Sequence, residues 1–354
     1  MSLRARRAAA WSVLLLAGCA SPLEQTFGFS GDAPSRTGLV PIGEGALFAN
    51  EAGRVMRLGP DGALLWTAEL VHEVRAAPAV AGETVVAATV SGDVVGLDAG
   101  TGVRRWRTEL SGSAAALAAA DGRAFLLSDE GDLLALEAAT GLAVWRSALG
   151  SGLGIRAGAA PRLALLLVPG GGLVAAGPGA LLAVSAEDGT RRWRAPVHEP
   201  FGLLVQRGLL WTVDGSGRAL AFAPATGELR SERALGRSPT SPLGQALDRL
   251  WVGLEGNVLV GFRPGDDAPP WTGGVPGPVV APVVELEGRV LVPTAGREGR
   301  LLAIDVGAPG NPPSARVDSP LRTAPLVRRP AAWVLAQDGR VLGFRLRPVG
   351  GSGR

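Results

Sequence analysis

The stretch "VVGLDAGTGVRRWRTEL", residues 94–110, joins an apolar run, an Asp-x-x-Thr-Gly turn and a charged run carrying Trp106. The Thr101-Gly102 pair suits a tight hairpin, because glycine takes positive φ without a Cβ penalty. Just upstream, "ETVVAATVSGD" (residues 83–93) supplies a Val-rich run and a Ser-Gly-Asp turn. Short apolar runs bounded by Gly and Asp fit strands buried on both faces. A further strand precedes them, marked by Ala77-Pro78, Ala160-Pro161, Ala281-Pro282 and Ala324-Pro325. Proline is tolerated at strand starts and edges. One unit is therefore a four-stranded antiparallel sheet, and no segment of helical period competes with it.

The unit repeats, and its period is the main topological signal. Gly53 leads to Trp66, Gly92 to Trp106, Gly131 to Trp145, Gly179 to Trp193 and Gly256 to Trp271, at separations of 13, 14, 14, 14 and 15. Gly217 opens a similar unit in which Ser231 stands at the tryptophan position, and Gly299 and Gly339 open two degenerate copies. The 336 residues from Cys19 onward, shared among eight units, give 42 each. Eight units of four strands predict an all-β, eight-bladed β-propeller of antiparallel blades. Trp66, Trp106, Trp145, Trp193 and Trp271 then fall at one fixed place on each outer strand. They are read as structural docking residues that seal the gap to the neighbouring blade. A buried indole covers about 150–250 Å², and its truncation to Ala costs about 3–5 kcal/mol.

The last unit ends after its third strand, near Arg347. The segment around Phe27 to Gly31 is the natural source of the missing outer strand. The organisation read from the sequence is residues 1–18 signal peptide, 19–38 lipidated N-terminus and tether, 39–347 propeller and 348–354 flexible tail.

The first residues, "MSLRARRAAAWSVLLLAGCASP", read as a targeting segment, with Arg4, Arg6 and Arg7 before a short apolar run. That run falls short of the ~20 residues a spanning helix needs. Leu16-Ala17-Gly18-Cys19 resembles a bacterial lipobox, and Cys19 is the only cysteine in the chain. The resemblance implies acylation of Cys19, cleavage before it and, with Ala20 rather than Asp behind it, sorting to the outer membrane. Each buried CH₂ of an acyl chain contributes about 0.8 kcal/mol to anchoring.

Composition excludes several chemistries. The chain has no lysine and no tyrosine, and its histidines are His72 and His198. That removes a Walker-type phosphate loop, a Schiff-base lysine and a Ser-x-x-Lys nucleophile, and leaves no Cys/His zinc set. The formal charge of +3 comes from the three arginines of the targeting segment, so the mature chain is neutral. Neutral charge with scattered arginines argues against a nucleic-acid partner. The paired acids Asp129-Glu130, Glu187-Asp188 and Asp266-Asp267 fall at predicted turns, where carboxylates are solvated rather than poised for acid–base work. His72 with Glu73, and His198 with Glu199, fall between units and read as turn residues.

"LDAGTGVRRW" (Leu97 to Trp106), "LEAATGLAVW" and "VSAEDGTRRW" resemble the tryptophan-docking motif of pyrroloquinoline-quinone-type propellers. The resemblance covers nearly the whole mature chain and implies the fold more strongly than the function. Quinoprotein dehydrogenases of that type are much longer, and many carry an adjacent cysteine pair, which is absent here. Only Asn50, Asn257 and Asn311 are available as amide ligands to a calcium ion.

A lipobox followed by eight such repeats resembles the B component of the outer-membrane β-barrel assembly machine. That resemblance implies a non-enzymatic, lipid-anchored protein on the periplasmic face of the outer membrane. It implies no cofactor and no metal, and a monomer within a complex whose partner is the periplasmic part of the barrel-inserting protein. "GLGIRAGAAP" (Gly152 to Pro161) resembles the family's Leu-x-Leu-Arg loop, which implies partner contact by Leu153, Ile155 and Arg156 as an exposed apolar pair with one arginine. The spacing from Gly131 to Gly179 is 48 residues, against 38 or 39 for several neighbours, and long loops on rigid scaffolds carry binding. The segment after Trp193, "RAPVHEPFGLLV", departs from the family by lacking a longer acidic stretch. The alternatives are a binding propeller for another protein or glycan, a small quinone-dependent enzyme, and a paralogue acting in another envelope complex.

Overall fold

Alternating apolar runs and Gly/Asp turns favour antiparallel hairpins over helices. The computed structural model describes residues 23–156, 162–308 and 312–347. Its strands form eight four-stranded antiparallel sheets. Blade 1 comprises Val40–Ile42, Gly45–Ala49, Arg54–Leu58 and Leu64–Glu69. Blade 2 comprises Ala79–Ala81, Thr84–Ala88, Asp93–Asp98 and Arg104–Glu109. Blades 3 to 7 follow in register within 114–148, 164–196, 201–234, 244–274 and 284–316. First strands of successive blades lie against one another around the axis. Second strands such as Thr84–Ala88 are buried at every residue, whereas fourth strands such as Arg104–Glu109 alternate with solvent. Among the described residues the sole α-helix is a single turn, Gly150–Leu153.

The outer-strand tryptophans hold successive blades together. Trp66 Nε1 donates to the Ala99 carbonyl at 3.0 Å, Trp106 to Ala138 at 2.9 Å, Trp145 to Ala186 at 3.1 Å and Trp193 to Pro224 at 2.8 Å. Each carbonyl lies in the turn between the third and fourth strands of the next blade. The same turn presents a glycine under the indole: Gly102 below Trp66, Gly141 below Trp106, Gly189 below Trp145 and Gly227 below Trp193. A Cβ on Gly102 would come to 2.6 Å from the Trp66 ring, and Gly102 also sits at φ +74°. The glycine thus serves twice, in the turn geometry and as the floor of the indole site. The acid of the motif braces the turn. Asp98 Oδ1 accepts the Thr101 N–H at 2.8 Å and hydroxyl at 2.9 Å, and Oδ2 accepts Arg105. The Arg105 guanidinium, with Thr101, lowers the Asp98 carboxyl to about 2. Trp271 differs: it meets Trp251 of its own blade edge-on at 5.2 Å.

Blade 8 takes three strands from the C-terminal end, Leu326–Arg328, Ala331–Leu335 and Arg340–Leu346. Its outer strand is Leu23–Ser30, paired antiparallel to Arg340–Leu346. Residues 23–30 therefore belong to the propeller and not to a tether reaching residue 38; the strand pairing takes them because the last unit has an open edge. The strand brings its own docking aromatic. Phe27 lies opposite Gly343, meets Trp333 edge-on at 4.7 Å, and seats on Gly62 of blade 1 as the tryptophans seat on their glycines. The ring is closed between blades 8 and 1 by an aromatic ring on glycine, the contact that joins blades 1 to 5.

Replacement of Phe27 by Ala is expected to cost about 3 kcal/mol, comparable with Trp106→Ala. Urea unfolding of the two variants beside the parent checks this, and an unchanged midpoint for Phe27→Ala would contradict closure by this strand.

Candidate partner-binding face

The ring has two faces. One carries the turns between first and second and between third and fourth strands. The other carries the turns between second and third strands and the connections between blades. The longest of those connections described, between blades 3 and 4, carries Leu153, Ile155 and Arg156.

Its path is fixed by small residues. The Leu149 N–H donates to the Gly131 carbonyl at 2.8 Å, and the Leu153 N–H to the Leu149 carbonyl at 2.9 Å, which makes the single helical turn. Gly154 at φ +77° ends it in the left-handed conformation that helix ends favour. The Gly179 N–H donates to the Leu153 carbonyl at 2.9 Å, and Arg194 Nε to the Gly152 carbonyl at 2.8 Å, so blade 4 grips the turn from two sides. Leu153 itself is 0% exposed, packed with Leu149, Leu173 and Leu182 and close over Gly177. The expectation of an exposed apolar pair is corrected here. The turn drives Leu153 into the gap between blades 3 and 4, Ile155 is half-buried against the same cluster, and Arg156 is exposed. Residues 157–161, including Ala160-Pro161 of the following strand signal, lie outside the described residues, as do Cys19 and Asn311.

Arginine recurs at blade entrances on this face: Arg36, Arg75, Arg156, Arg237 and Arg322 each stand in a connection that leads to the first strand of a blade. Four have partners. Arg36 pairs Glu51 at 2.8 Å, Arg75 pairs Glu73 at 2.7 Å, Arg237 reaches the Glu255 carbonyl at 3.2 Å, and Arg322 reaches Gln337 Oε1 at 2.7 Å. Arg156 has no hydrogen-bond or ion-pair partner among the described residues. Arg36 and Arg322 also rim a cavity of about 530 Å³, together with Arg162, Phe201, Thr240 and Pro242. Because these residues come from blade connections around the ring, the cavity is the mouth of the central channel. The Arg162 guanidinium sits 4.3 Å from the Phe201 ring centroid. The members of this set lie far apart along the chain and share no fixed spacing that would have marked them in the sequence.

Several polar groups near this face are held in structural contacts. Asn50 is fully buried: its Oδ1 accepts the Ala52 and Arg54 N–H groups, and its Nδ2 donates to the Gly31 carbonyl. Asn257 is an exposed turn residue at φ +58°. His72 Nδ1 faces both Ser91 Oγ, at 2.9 Å, and Asp93, at 3.5 Å. A nucleophile triad needs those partners on opposite ring nitrogens, and Asp93 is already paired with Arg107. Buried Asp214 has its carboxyl raised by burial, but the Ser216 hydroxyl and Arg218 outweigh that and its net direction is downward. Its oxygens are held by Ser216 and by the Arg218 N–H and guanidinium. Glu199, at φ +44°, ties its N–H to the Pro178 carbonyl at 2.8 Å, which fixes the short connection after Trp193. Among the described residues no three His, Cys, Asp or Glu side chains converge as metal ligands.

Leu153→Ala is expected to destabilise the fold by about 3 kcal/mol, while Arg156→Glu should stay within about 0.5 kcal/mol of the parent. Chemical denaturation of both checks the division into buried anchor and exposed cation; a neutral Leu153→Ala would contradict it.

A family model described as "Outer membrane protein assembly factor BamB" matches residues 51–205, the part that holds Trp66, Trp106, Trp145, Trp193 and this connection. No curated protein is recognisably similar in sequence. Among solved structures, BamB from Moraxella catarrhalis superposes with a TM-score of 0.74 at 19% identity, over 94% of this chain and 99% of that one. The computationally designed Ika8 protein gives 0.72 at 16%, over 89% and 97%. Quinohemoprotein alcohol dehydrogenase from Comamonas testosteroni gives 0.69 at 12%, over 94% of this chain and 77% of that one. At these identities the likeness is one of fold.

Proposed function

From a BamB-like propeller of pyrroloquinoline-quinone-type repeats, we propose a non-enzymatic scaffold of the bacterial outer membrane. Acylated Cys19 anchors it on the periplasmic side, and the propeller holds the periplasmic part of the barrel-inserting protein during outer-membrane protein assembly. The observation that carries this reading is Arg156. It is exposed, without a partner among the described residues, at the end of a connection pinned by Gly179, Arg194 and buried Leu153. Its four counterparts at other blade entrances are partnered. An exposed guanidinium beside a half-buried Ile155 makes a small contact of the kind that dominates interfaces, since Arg is enriched at hot spots. Within that contact Leu153 is the anchor, and Arg156 and Ile155 meet the partner.

The role is one of position. A closed ring with eight interlocked blades loses little conformational freedom on binding, which keeps the entropic cost of association low. Among the described residues no helix is long and apolar enough to cross a membrane.

A photo-crosslinker placed at exposed Ser151 in the native envelope tests the reading. The expected result is an adduct with the barrel-inserting protein that disappears on Arg156→Glu, with a diacylglyceryl mass on Cys19 in the purified protein. An adduct with some other envelope protein, or none from a folded and lipidated chain, would overturn the partner assignment.

A further inference from the structure

Blade 5 lacks the docking aromatic, and the gap it leaves has the shape of a binding site. Ser231 pairs with Ala221, which pairs with Trp211, so the three side chains stand on one side of the blade facing blade 6. The corresponding line in blade 6 is Trp251, Gly261 and Trp271, with its two indoles edge-on at 5.2 Å. In blade 8 it is Trp333, Gly343 and Phe27, edge-on at 4.7 Å. Wherever else an inner strand of this ring carries tryptophan, an outer aromatic closes over it. In blade 5 the outer member is a serine, and a cavity of about 340 Å³ opens there, lined by Trp211, Ser231, Phe262, Arg233, Pro264 and Asp266. That volume is at the small end of ligand sites, about 300–1,000 Å³.

Two polar groups at this notch lack the partner their counterparts have. Trp211 is 2% exposed, and its buried Nε1–H has no hydrogen-bond partner among the described residues. A buried donor left unpaired is an uncommon and costly feature. The Pro264 carbonyl stands at the place of Ala99, Ala138, Ala186 and Pro224, which accept an indole N–H in blades 2 to 5. It receives instead only a 3.5 Å approach from Arg207. Arg233 flanks the opening, bonded to the Asp266 and Ala268 carbonyls and 5.5 Å from the Phe262 ring centroid, with its cationic face available to a second ring.

We propose that the notch between blades 5 and 6 binds an aromatic side chain, an indole above all, supplied by an extended segment of a partner protein. The visiting ring takes the place of the missing outer aromatic. It lies against Trp211 as Trp271 lies against Trp251, and directs its N–H to the Pro264 carbonyl. The outer strand Leu229–Ala234 is the edge of its sheet, so a segment added beside it places a side chain opposite Ser231 on the notch side. This site stands apart from Arg156 and does not depend on the function proposed above.

N-acetyl-L-tryptophanamide serves as the probe, titrated into the whole protein with ¹⁵N-labelled tryptophan. Nε1 resonances are followed, with Trp211 identified by its loss in Trp211→Phe. The expected result is a saturable shift of the Trp211 Nε1–H and cross-relaxation from the probe ring to Phe262, neither of which N-acetyl-L-leucinamide produces. Ser231→Trp, which supplies the ring from within the chain, should abolish the shift and raise the thermal midpoint. An unmoved Trp211 resonance at the solubility limit of the probe would overturn the proposal. So would an equal shift with the leucine compound, or binding that persists in folded Ser231→Trp. The wild-type titration decides the matter even where the variant does not fold.

Discussion

An indole laid on a bare glycine backbone is the contact on which this ring depends. A four-stranded sheet exposes two faces and cannot bury both by itself; it needs a neighbour on each side. The tryptophan of one blade reaches the third-to-fourth turn of the next, where glycine leaves room for the ring and a carbonyl accepts its N–H. The constraint is reciprocal. The turn needs positive φ, the indole needs a flat floor, and one residue type meets both needs. Asp98, held ionised by Arg105 and Thr101, keeps the turn in the shape that presents the floor.

Closure and display follow from the same contact. A ring has no ends only if its first and last blades dock, and Phe27 on Gly62 performs that docking across the termini. With all blades held, a connection between them can be pinned from both sides. Leu153 under the single helical turn and Gly179 beyond it leave Arg156 exposed at the end of a pinned connection. Where the docking residue is missing, at Ser231, the geometry of the site persists without its occupant. The repeat therefore shapes both the places that are filled and the notch at Ser231.

Much of the architecture was legible in the sequence. The glycine-to-tryptophan spacing, the Thr-Gly turns and the Ala-Pro strand signals fixed the blade count and order, and the short last unit pointed to a strand from the N-terminal side. The docking role of Phe27 was not legible, because a phenylalanine in an N-terminal segment carries no periodic signal of its own. Leu153 was misread for a physical reason. A Leu-x-Ile-Arg pattern on an extended strand puts its apolar residues on one face, but Gly150 and Gly152 allow a helical turn that turns Leu153 inward. The arginines at blade entrances carry no fixed spacing, and only the folded ring brings residues as distant as Arg36, Arg162 and Arg322 around one channel mouth.

A matched pair of glycines isolates the central contact. Gly102 and Gly122 share a φ of +74°, so alanine suffers the same backbone strain at either. A Cβ at Gly102 meets the Trp66 ring at 2.6 Å, whereas one at Gly122 meets nothing within 4 Å. The measurement is the unfolding free energy of Gly102→Ala against Gly122→Ala. If blades are held by indole on glycine, Gly102→Ala costs more by about 2 kcal/mol or above, the scale of overpacking a close contact. Equal costs would contradict it, and would mean that the tryptophans lie beside the turns without securing them.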